Sequence, residues 1–123
     1  MNKKRILIVD DQNELRKLLR MTLEFGDYEL HEAEDGQRAL ELANVIHPDL
    51  VILDVMMPGE VDGYQVCEKL KQNTSGTIPY VMLLTARGQK SDLEEGERVG
   101  SDSYLVKPFS PLELIEKVND ALN

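Results

Sequence analysis

The chain has no tryptophan, a single cysteine, and only two phenylalanines and four tyrosines. The lone cysteine, Cys67, excludes an internal disulfide and a cysteine-based zinc cluster. Its neighbours Val66 and Leu70 indicate a small core residue. No apolar run approaches the roughly 18 residues of a membrane helix. The basic N-terminus precedes only a four-residue apolar strand, too short for a signal peptide. We therefore expect a cytoplasmic location and no membrane contact.

Basic residues are also scarce, with 14 lysines and arginines against 23 aspartates and glutamates and a net charge of −9. No basic patch is visible, so direct nucleic-acid binding is not expected, and any DNA contact would need another chain or domain. With 41% hydrophobic and 30% charged residues in 123 positions, residues 1–123 are predicted to form one soluble domain.

Short apolar runs alternate with amphipathic stretches along the whole chain. The predicted strands are Arg5–Val9, Tyr28–Ala33, Leu50–Leu53, Tyr80–Leu84 and Ser103–Val106. The first predicted helix carries apolar residues from Leu15 to Leu23 and ends near Gly26. The second runs from Gly36 to Ile46 and stops at His47-Pro48. The other predicted helices are Gly63–Lys71, Ser91–Val99 and Pro111–Leu122. Residues 72–77 are predicted to be a polar turn.

This (βα)₅ alternation favours an α/β fold with a doubly wound, five-stranded parallel sheet covered by helices on both faces. Strand order 2-1-3-4-5, the flavodoxin-like arrangement, would place the polar strand Tyr28–Ala33 at an edge. Ligands of such sheets bind beyond the carboxyl ends of the strands, so the residues that follow each strand carry the functional prediction.

Charged and hydroxyl side chains stand at these strand ends: Asp10 and Asp11, Asp54, Thr85 and Lys107. Two unit charges 4 Å apart repel by about 4 kcal/mol at an effective dielectric of 20. The three carboxylates therefore either splay into water, share a proton, or bind a hard divalent cation. We favour Mg²⁺, which prefers oxygen ligands and keeps several waters, because Lys107 offers one positive charge against three negative ones.

A site with Mg²⁺, a lysine, a hydroxyl and a carboxylate suits phosphoryl transfer, which depends on positioning and charge neutralisation. Asp54 would be the nucleophile, because aspartate can form an acyl phosphate. Lys107 and the Thr85 hydroxyl would hold phosphoryl oxygens. The plainer alternatives are an ordinary strand-end threonine and a solvated lysine, although the apolar neighbours of Lys107 argue against the latter.

Four motifs in order resemble the receiver domain of two-component response regulators, of the chemotaxis-regulator-like kind. They are Asp10-Asp11 after ILIV, Asp54 within LDVMMP, Thr85-Ala86 and Lys107-Pro108-Phe109. The resemblance extends from about Lys4 to Leu122.

The resemblance implies a role for each matching residue. Asp54 would be the phosphoacceptor, Asp11 a direct Mg²⁺ ligand, Asp10 a ligand through water, and the backbone carbonyl of Met56 a further ligand. Thr85 and Tyr104 would be a switch pair that reshapes the face made by the fourth helix, fifth strand and fifth helix. The Lys107–Pro108 bond is commonly cis in the family, whereas the sequence itself predicts only a turn at Pro108.

The implied partners are a sensor histidine kinase or phosphotransfer protein, and a downstream effector domain or protein. A small acyl phosphate could also be the donor, and a phosphorylation-dependent homodimer is a further expectation. Such a domain is a signalling phosphoacceptor and not an enzyme in the usual sense. Kinases dock on the first helix in the family, and here we expect that helix to expose Glu14, Arg16, Lys17 and Arg20.

Two departures from the family pattern concern a loop and a helix. The loop at residues 58–63 is one residue longer than the common version, and the last helix lacks an arginine that many DNA-binding members use for dimerisation.

Three other classes compete with a receiver domain. A haloacid-dehalogenase-type phosphatase would need a second aspartate where Met56 stands, and a flavodoxin would need a phosphate loop where Asp10 and Asp11 would repel phosphate. A pseudo-receiver that acts as an interaction module usually loses an acidic or lysine position, and all are present here. His31 and His47 are expected to be structural or exposed.

Overall fold

The computed structural model describes residues 3–57, 59, 61–72, 78–86 and 90–123. The strands are β1 (Lys4–Val9), β2 (Tyr28–Ala33), β3 (Leu50–Asp54), β4 (Tyr80–Thr85) and β5 (Ser103–Val106). The helices are α1 (Asn13–Leu23), α2 (Gly36–Ile46), α3 (Gly63–Lys71), α4 (Lys90–Arg98) and α5 (Pro111–Leu122). Every predicted element is present, and no helix within the described ranges has the length and apolar character needed to cross a membrane.

The five strands form one parallel sheet in the order β2-β1-β3-β4-β5, which confirms the predicted doubly wound fold. The predicted edge position of β2 is also confirmed, and its side chains are mostly half-exposed. The order of strands reverses between β1 and β3. The carboxyl ends of these two strands therefore lie at the switch point, where ligands of such sheets bind.

Two strands extend one residue further at their carboxyl ends than the sequence predicts, and β1 begins one residue earlier, at Lys4. Asp54 and Thr85 are the last residues of β3 and β4, not the first residues after them. Asp54 pairs in register with Leu84, and Thr85 pairs with Val106, so neighbouring strands extend the ladder past the apolar runs. Both side chains consequently stand on rigid sheet backbone.

The core consists of two hydrophobic clusters, one on each face of the sheet. The first joins β-strand residues to α2 and α3 through Ala39, Ala43, Val66, Cys67 and Leu70. The second joins the sheet to α1 and α5, with the helical contributions Leu19, Leu23, Leu114 and Val118. Burying a leucine or valine side chain contributes about 1.5–3 kcal/mol, so these contacts fix the sheet that carries the strand ends. Cys67 is a core residue as predicted, and burial raises the pKa of its thiol to about 11.

Local signals explain most helix boundaries. Asp62 caps α3 in a reciprocal capping box with Gln65, and Ser110 caps α5 in the same way with Glu113. At the end of α2, His47 adopts a left-handed conformation with φ 50°. The helix α1 ends at Leu23, and Gly26 lies in the following turn, where its N–H donates to the Leu23 carbonyl at 3.0 Å. Of the predicted turn at residues 72–77, residues 73–77 lie outside the described residues.

Candidate functional site

Three carboxylates meet at the switch point. Oxygen atoms of Asp10, Asp11 and Asp54 all lie within 4.8 Å of one another. Asp10 and Asp54 are buried, with 0% and 4% of their surface exposed, while Asp11 is exposed. The predicted convergence of these residues from separate strands is therefore confirmed. Carboxylate oxygens at this spacing, with an open side toward solvent, fit a hard divalent cation that keeps part of its water shell.

Asp10 is held in place through several of its polar groups. Its N–H donates to the Ala33 carbonyl at 3.2 Å, and its Oδ1 accepts from the Gln12 N–H at 2.8 Å. These bonds fix the short turn between β1 and α1. Because the turn is fixed, Asp11 is directed toward solvent beside the buried carboxylates.

Lys107 points into the acidic cluster and is not a solvated surface lysine. Its Nζ lies 3.2 Å from Asp10 Oδ2 and 3.5 Å from Asp54 Oδ1, and 22% of its side chain is exposed. Its backbone N–H donates to the Thr85 carbonyl at 2.7 Å, which ties the β5 end to the β4 end. The Lys107–Pro108 peptide bond is cis, as the resemblance implies. Lys107 thus bridges both buried carboxylates with one positive charge.

Burial raises the pKa of Asp54 to about 6, and the nearby Asp10 charge adds to the increase. The Met56 N–H, which donates to Asp54 Oδ1 at 3.1 Å, and the Lys107 ammonium act in the opposite direction. A pKa of about 6 lies below neutral pH, so the ionised form of Asp54 predominates at pH 7. Asp54 therefore presents a poorly solvated carboxylate, which is a suitable state for a nucleophile.

Thr85 and Tyr104 stand beside the cluster on β4 and β5. Thr85 is buried at the end of β4, whereas the Tyr104 side chain is 43% exposed and has the Lys117 ammonium 5.8 Å from its ring centroid. Both residues line a small cavity of about 20 Å³ together with Leu93 and Tyr64. The structure thus places the two predicted switch residues on one cavity, with Tyr104 turned outward. The role of the Met56 carbonyl stays a prediction.

Arg16 occupies a different place from the one predicted. Instead of lying exposed on α1, its side chain is 12% exposed, and its Nη1 donates to the backbone carbonyl of Asp10 at 2.6 Å. Glu14 and Lys17 are exposed as expected, and Arg20 is half-buried. A second cation therefore reaches the acidic site besides Lys107. The i, i+4 spacing of Arg16 and Arg20 was the available signal, because it puts both on the helix face next to β2.

Gly63 is a second residue that the sequence reasoning used only as a helix start. A Cβ at this position would lie 2.6 Å from the Val55 Cα and closer still to the Asp54 carbonyl oxygen. Only a residue without a side chain lets the start of α3 approach the backbone of Asp54 so closely. Pro58 and Glu60, in the loop predicted to carry the extra residue, lie outside the described residues, so the effect of that residue on the loop stays a prediction.

Fold and site together define a doubly wound α/β domain with an acidic cluster and a lysine at its switch point. The family model described as response regulator receiver domain matches residues 6–119. The chain therefore belongs to the family of response regulator receiver domains, which act in two-component signalling.

Individual relatives agree with this assignment. The chain is 46% identical over 121 residues to "Probable transcriptional regulator ycf27" of Cyanophora paradoxa, covering 98% of this chain and 49% of that protein. It is 44% identical over 117 residues to the transcriptional regulatory protein SrrA of Staphylococcus aureus, covering 95% and 47%. The chain thus spans about half the length of these curated relatives. The structure of the chemotaxis protein CheY4 of Vibrio cholerae superposes with a TM-score of 0.90 at 29% identity, covering 98% and 99% of the two chains.

Proposed function

We propose that Asp54 accepts a phosphoryl group in a Mg²⁺-dependent reaction and that this modification switches the surface formed by α4, β5 and α5. The observation that carries the proposal is the meeting of Asp10, Asp11 and Asp54 within 4.8 Å, with Lys107 bound to the two buried carboxylates. The cluster pairs a desolvated carboxylate with the charges that a phosphoryl acceptor needs.

In the proposed reaction, an Asp54 carboxylate oxygen forms a bond to phosphorus while the bond from phosphorus to the donor breaks. The donor is a phosphohistidine, which leaves as histidine, or a small acyl phosphate, which leaves as a carboxylate. The Lys107 ammonium moves from the carboxylates to a phosphoryl oxygen, and the Thr85 hydroxyl donates to another. Mg²⁺, held by Asp10, Asp11, Asp54 and the Met56 carbonyl, would neutralise negative charge on the incoming group.

The proposed switch couples the strand ends to the surface around Tyr104. A phosphoryl group adds about −1.5 to −2 charge. Thr85 turns toward it, and Tyr104 turns into the space behind Thr85. The cavity of about 20 Å³ there has room for about one water molecule and not for a phenol ring. Leu93 of α4 also lines this cavity, so inward rotation of Tyr104 has to displace α4.

A sensor histidine kinase or phosphotransfer protein is the proposed donor, and an effector domain or protein is the proposed recipient of the signal. The relatives ycf27 and SrrA are named transcriptional regulators and are about twice as long as this chain, which supports an effector linked to transcription. On α1 the exposed charged residues available to a kinase are Glu14 and Lys17, with Arg20 half-buried.

Incubation with acetyl phosphate and Mg²⁺ tests the phosphoacceptor proposal. We expect intact-mass spectrometry to show the addition of one phosphoryl group, peptide mapping to place it on Asp54, and EDTA to prevent it. The reason is that the single positive charge of Lys107 cannot offset the negative charges of Asp10, Asp54 and the incoming phosphoryl group, so a divalent cation is needed. Absence of any uptake with millimolar Mg²⁺ would favour the alternative, a pseudo-receiver that acts only as a protein-interaction module.

A pair of charge-matched variants separates the metal site from general charge effects. Asp11→Asn removes a proposed ligand and is expected to weaken Mg²⁺ binding at least roughly tenfold. Asp27→Asn makes the same change at an exposed residue paired with Lys3 and should leave Mg²⁺ affinity unchanged. Equal Mg²⁺ affinities of the two variants in calorimetric titrations would count against the proposed ligand set.

A further inference from the structure

We propose that Arg16 is a positioning residue for the acidic site, because it holds the backbone of Asp10 so that Asp10 and Asp11 can share one cation. This inference rests on the proposed Mg²⁺ site and concerns a residue outside the set of carboxylates, lysine and threonine. Arg16 lies on α1, one helical turn after Gln12, the residue that follows Asp11.

The contacts of Arg16 connect the site to the neighbouring strand. Its Nη1 donates to the Asp10 carbonyl at 2.6 Å, its Nε donates to Glu32 Oε1 at 3.3 Å, and its Nη2 donates to the Asn13 side chain. Only 12% of the Arg16 side chain is exposed. A guanidinium has donors in a fixed planar fork, so simultaneous bonds to a carbonyl and a carboxylate fix its orientation. The turn that carries Asp11 is thereby attached to β2 through Glu32.

The other groups of Asp10 show why this bond matters. Its N–H is bound to Ala33, its Oδ1 to the Gln12 N–H and its Oδ2 to Lys107. When Lys107 moves to a phosphoryl oxygen, Asp10 loses one of these contacts. The bond from Arg16 to the carbonyl remains, because it involves neither carboxylate oxygen. Arg16 therefore keeps the turn in place while the contacts of the carboxylates change.

The positive charge of Arg16 and its hydrogen bond to the Asp10 carbonyl predict opposite effects on Mg²⁺ affinity. Arg20 also binds Glu32, with Nη1 2.9 Å from Oε2, so Glu32 is shared between two guanidiniums and offsets the positive charge of Arg16 only in part. If only this charge acted on the site, its removal would strengthen the binding of a cation. If Arg16 acts by holding Asp10, its removal weakens binding. The sign of the change in Mg²⁺ affinity distinguishes the two.

The experiment measures Mg²⁺ binding to the complete chain by calorimetry for wild type, Arg16→Gln and Arg16→Lys. We expect Arg16→Gln to raise the dissociation constant for Mg²⁺ roughly tenfold, the size typical for partners that orient metal ligands. Arg16→Lys keeps the charge but lacks the fork, so it should restore binding only in part. Lys17→Gln is the matched control, since it removes a positive charge from the next, exposed position of α1. Unchanged or tighter binding by Arg16→Gln, or full restoration by Arg16→Lys, would overturn the inference.

A metal-free measurement separates this inference from the proposed function. The Gln12 N–H, bound to Asp10 Oδ1, reports whether the turn is fixed. Its amide exchange, measured by NMR with EDTA present, should become roughly tenfold faster in Arg16→Gln and stay unchanged in Lys17→Gln. If wild type takes up no Mg²⁺, the proposed function fails, whatever the exchange rates are. If wild type binds Mg²⁺ and Gln12 exchange does not respond to Arg16→Gln, the positioning role fails alone.

Discussion

Asp54→Asn is expected to abolish phosphoryl uptake and, in the same variant, to raise the free energy of unfolding of the metal-free protein by about 3 kcal/mol at neutral pH. The acceptor oxygen is lost because an amide does not form an acyl phosphate. Stability rises because the buried carboxylate, whose pKa is raised from 3.8 to about 6, is costly to ionise in the folded state. The same group thus limits stability and supplies reactivity.

The pH dependence follows from the direction of this pKa change. Asp54 binds a proton more tightly in the folded than in the unfolded chain, so its protonation stabilises the fold. That contribution is complete below the unfolded-state pKa of 3.8 and is lost as pH rises through about 6. Urea unfolding with EDTA measures the free energy of unfolding of wild type and of Asp54→Asn. The difference between the two free energies should therefore be small near pH 4 and reach its full size at neutral pH.

Two comparisons make this prediction specific. Asp27→Asn, at a carboxylate whose side chain is 87% exposed, should change stability by less than about 0.5 kcal/mol at every pH. Adding Mg²⁺ should stabilise wild type more than Asp54→Asn, because a ligand that binds only the folded state adds to its stability. Equal unfolding free energies of wild type and Asp54→Asn at neutral pH would show that burial of Asp54 carries no such cost.

Gly63→Ala is expected to lower the free energy of unfolding by about 3 kcal/mol, the upper end of the usual cost of overpacking. The added Cβ would lie 2.6 Å from Val55 Cα and 2.9 Å from the Asp54 carbonyl carbon. These are backbone atoms, so no side-chain rotation can relieve the contact. Either α3 moves away from β3 or the backbone after Asp54 shifts, and the second response would also weaken Mg²⁺ binding.

Gly59→Ala is the matched control for Gly63→Ala. Gly59 has a φ of 104° and no atom within 4 Å of an added Cβ, so the substitution introduces backbone strain without a contact. We expect it to cost about 1 kcal/mol. Both variants are compared by urea unfolding, and calorimetry then measures Mg²⁺ binding under conditions where each is folded. A cost for Gly63→Ala no larger than that for Gly59→Ala would contradict the steric argument.

The sequence predicted the fold and the acidic cluster because both depend on simple patterns. Runs such as Ile6–Val9 are apolar at every position, which indicates strands buried on both faces. Asp10 and Asp54 directly follow such runs, and parallel strands bring their carboxyl ends to one edge. Lys107 was placed by the same reasoning. These predictions needed only the strand order and no knowledge of side-chain packing.

The places where the prediction failed depend on contacts between distant parts of the chain. Arg16 has the appearance of a surface residue on an amphipathic helix, and only the position of β2 turns it toward Glu32 and Asp10. The contact of Gly63 with the backbone of Asp54 depends on how α3 packs against β3. The one-residue extension of β3 depends on its register with β4. A single sequence does not specify these distances, because each results from the packing of whole elements.

The character of the two outermost strands restricts how copies of this domain can associate. Edge strands expose unpaired backbone groups that invite a further strand, and charged side chains or a short length discourage this addition. At one margin β2 carries Glu29 and Glu32, and at the other β5 has only four residues. Lateral growth of the sheet is therefore disfavoured on both sides. A dimer of this domain is therefore expected to use helical surfaces, and the proposed displacement of α4 on phosphorylation of Asp54 would alter such a surface.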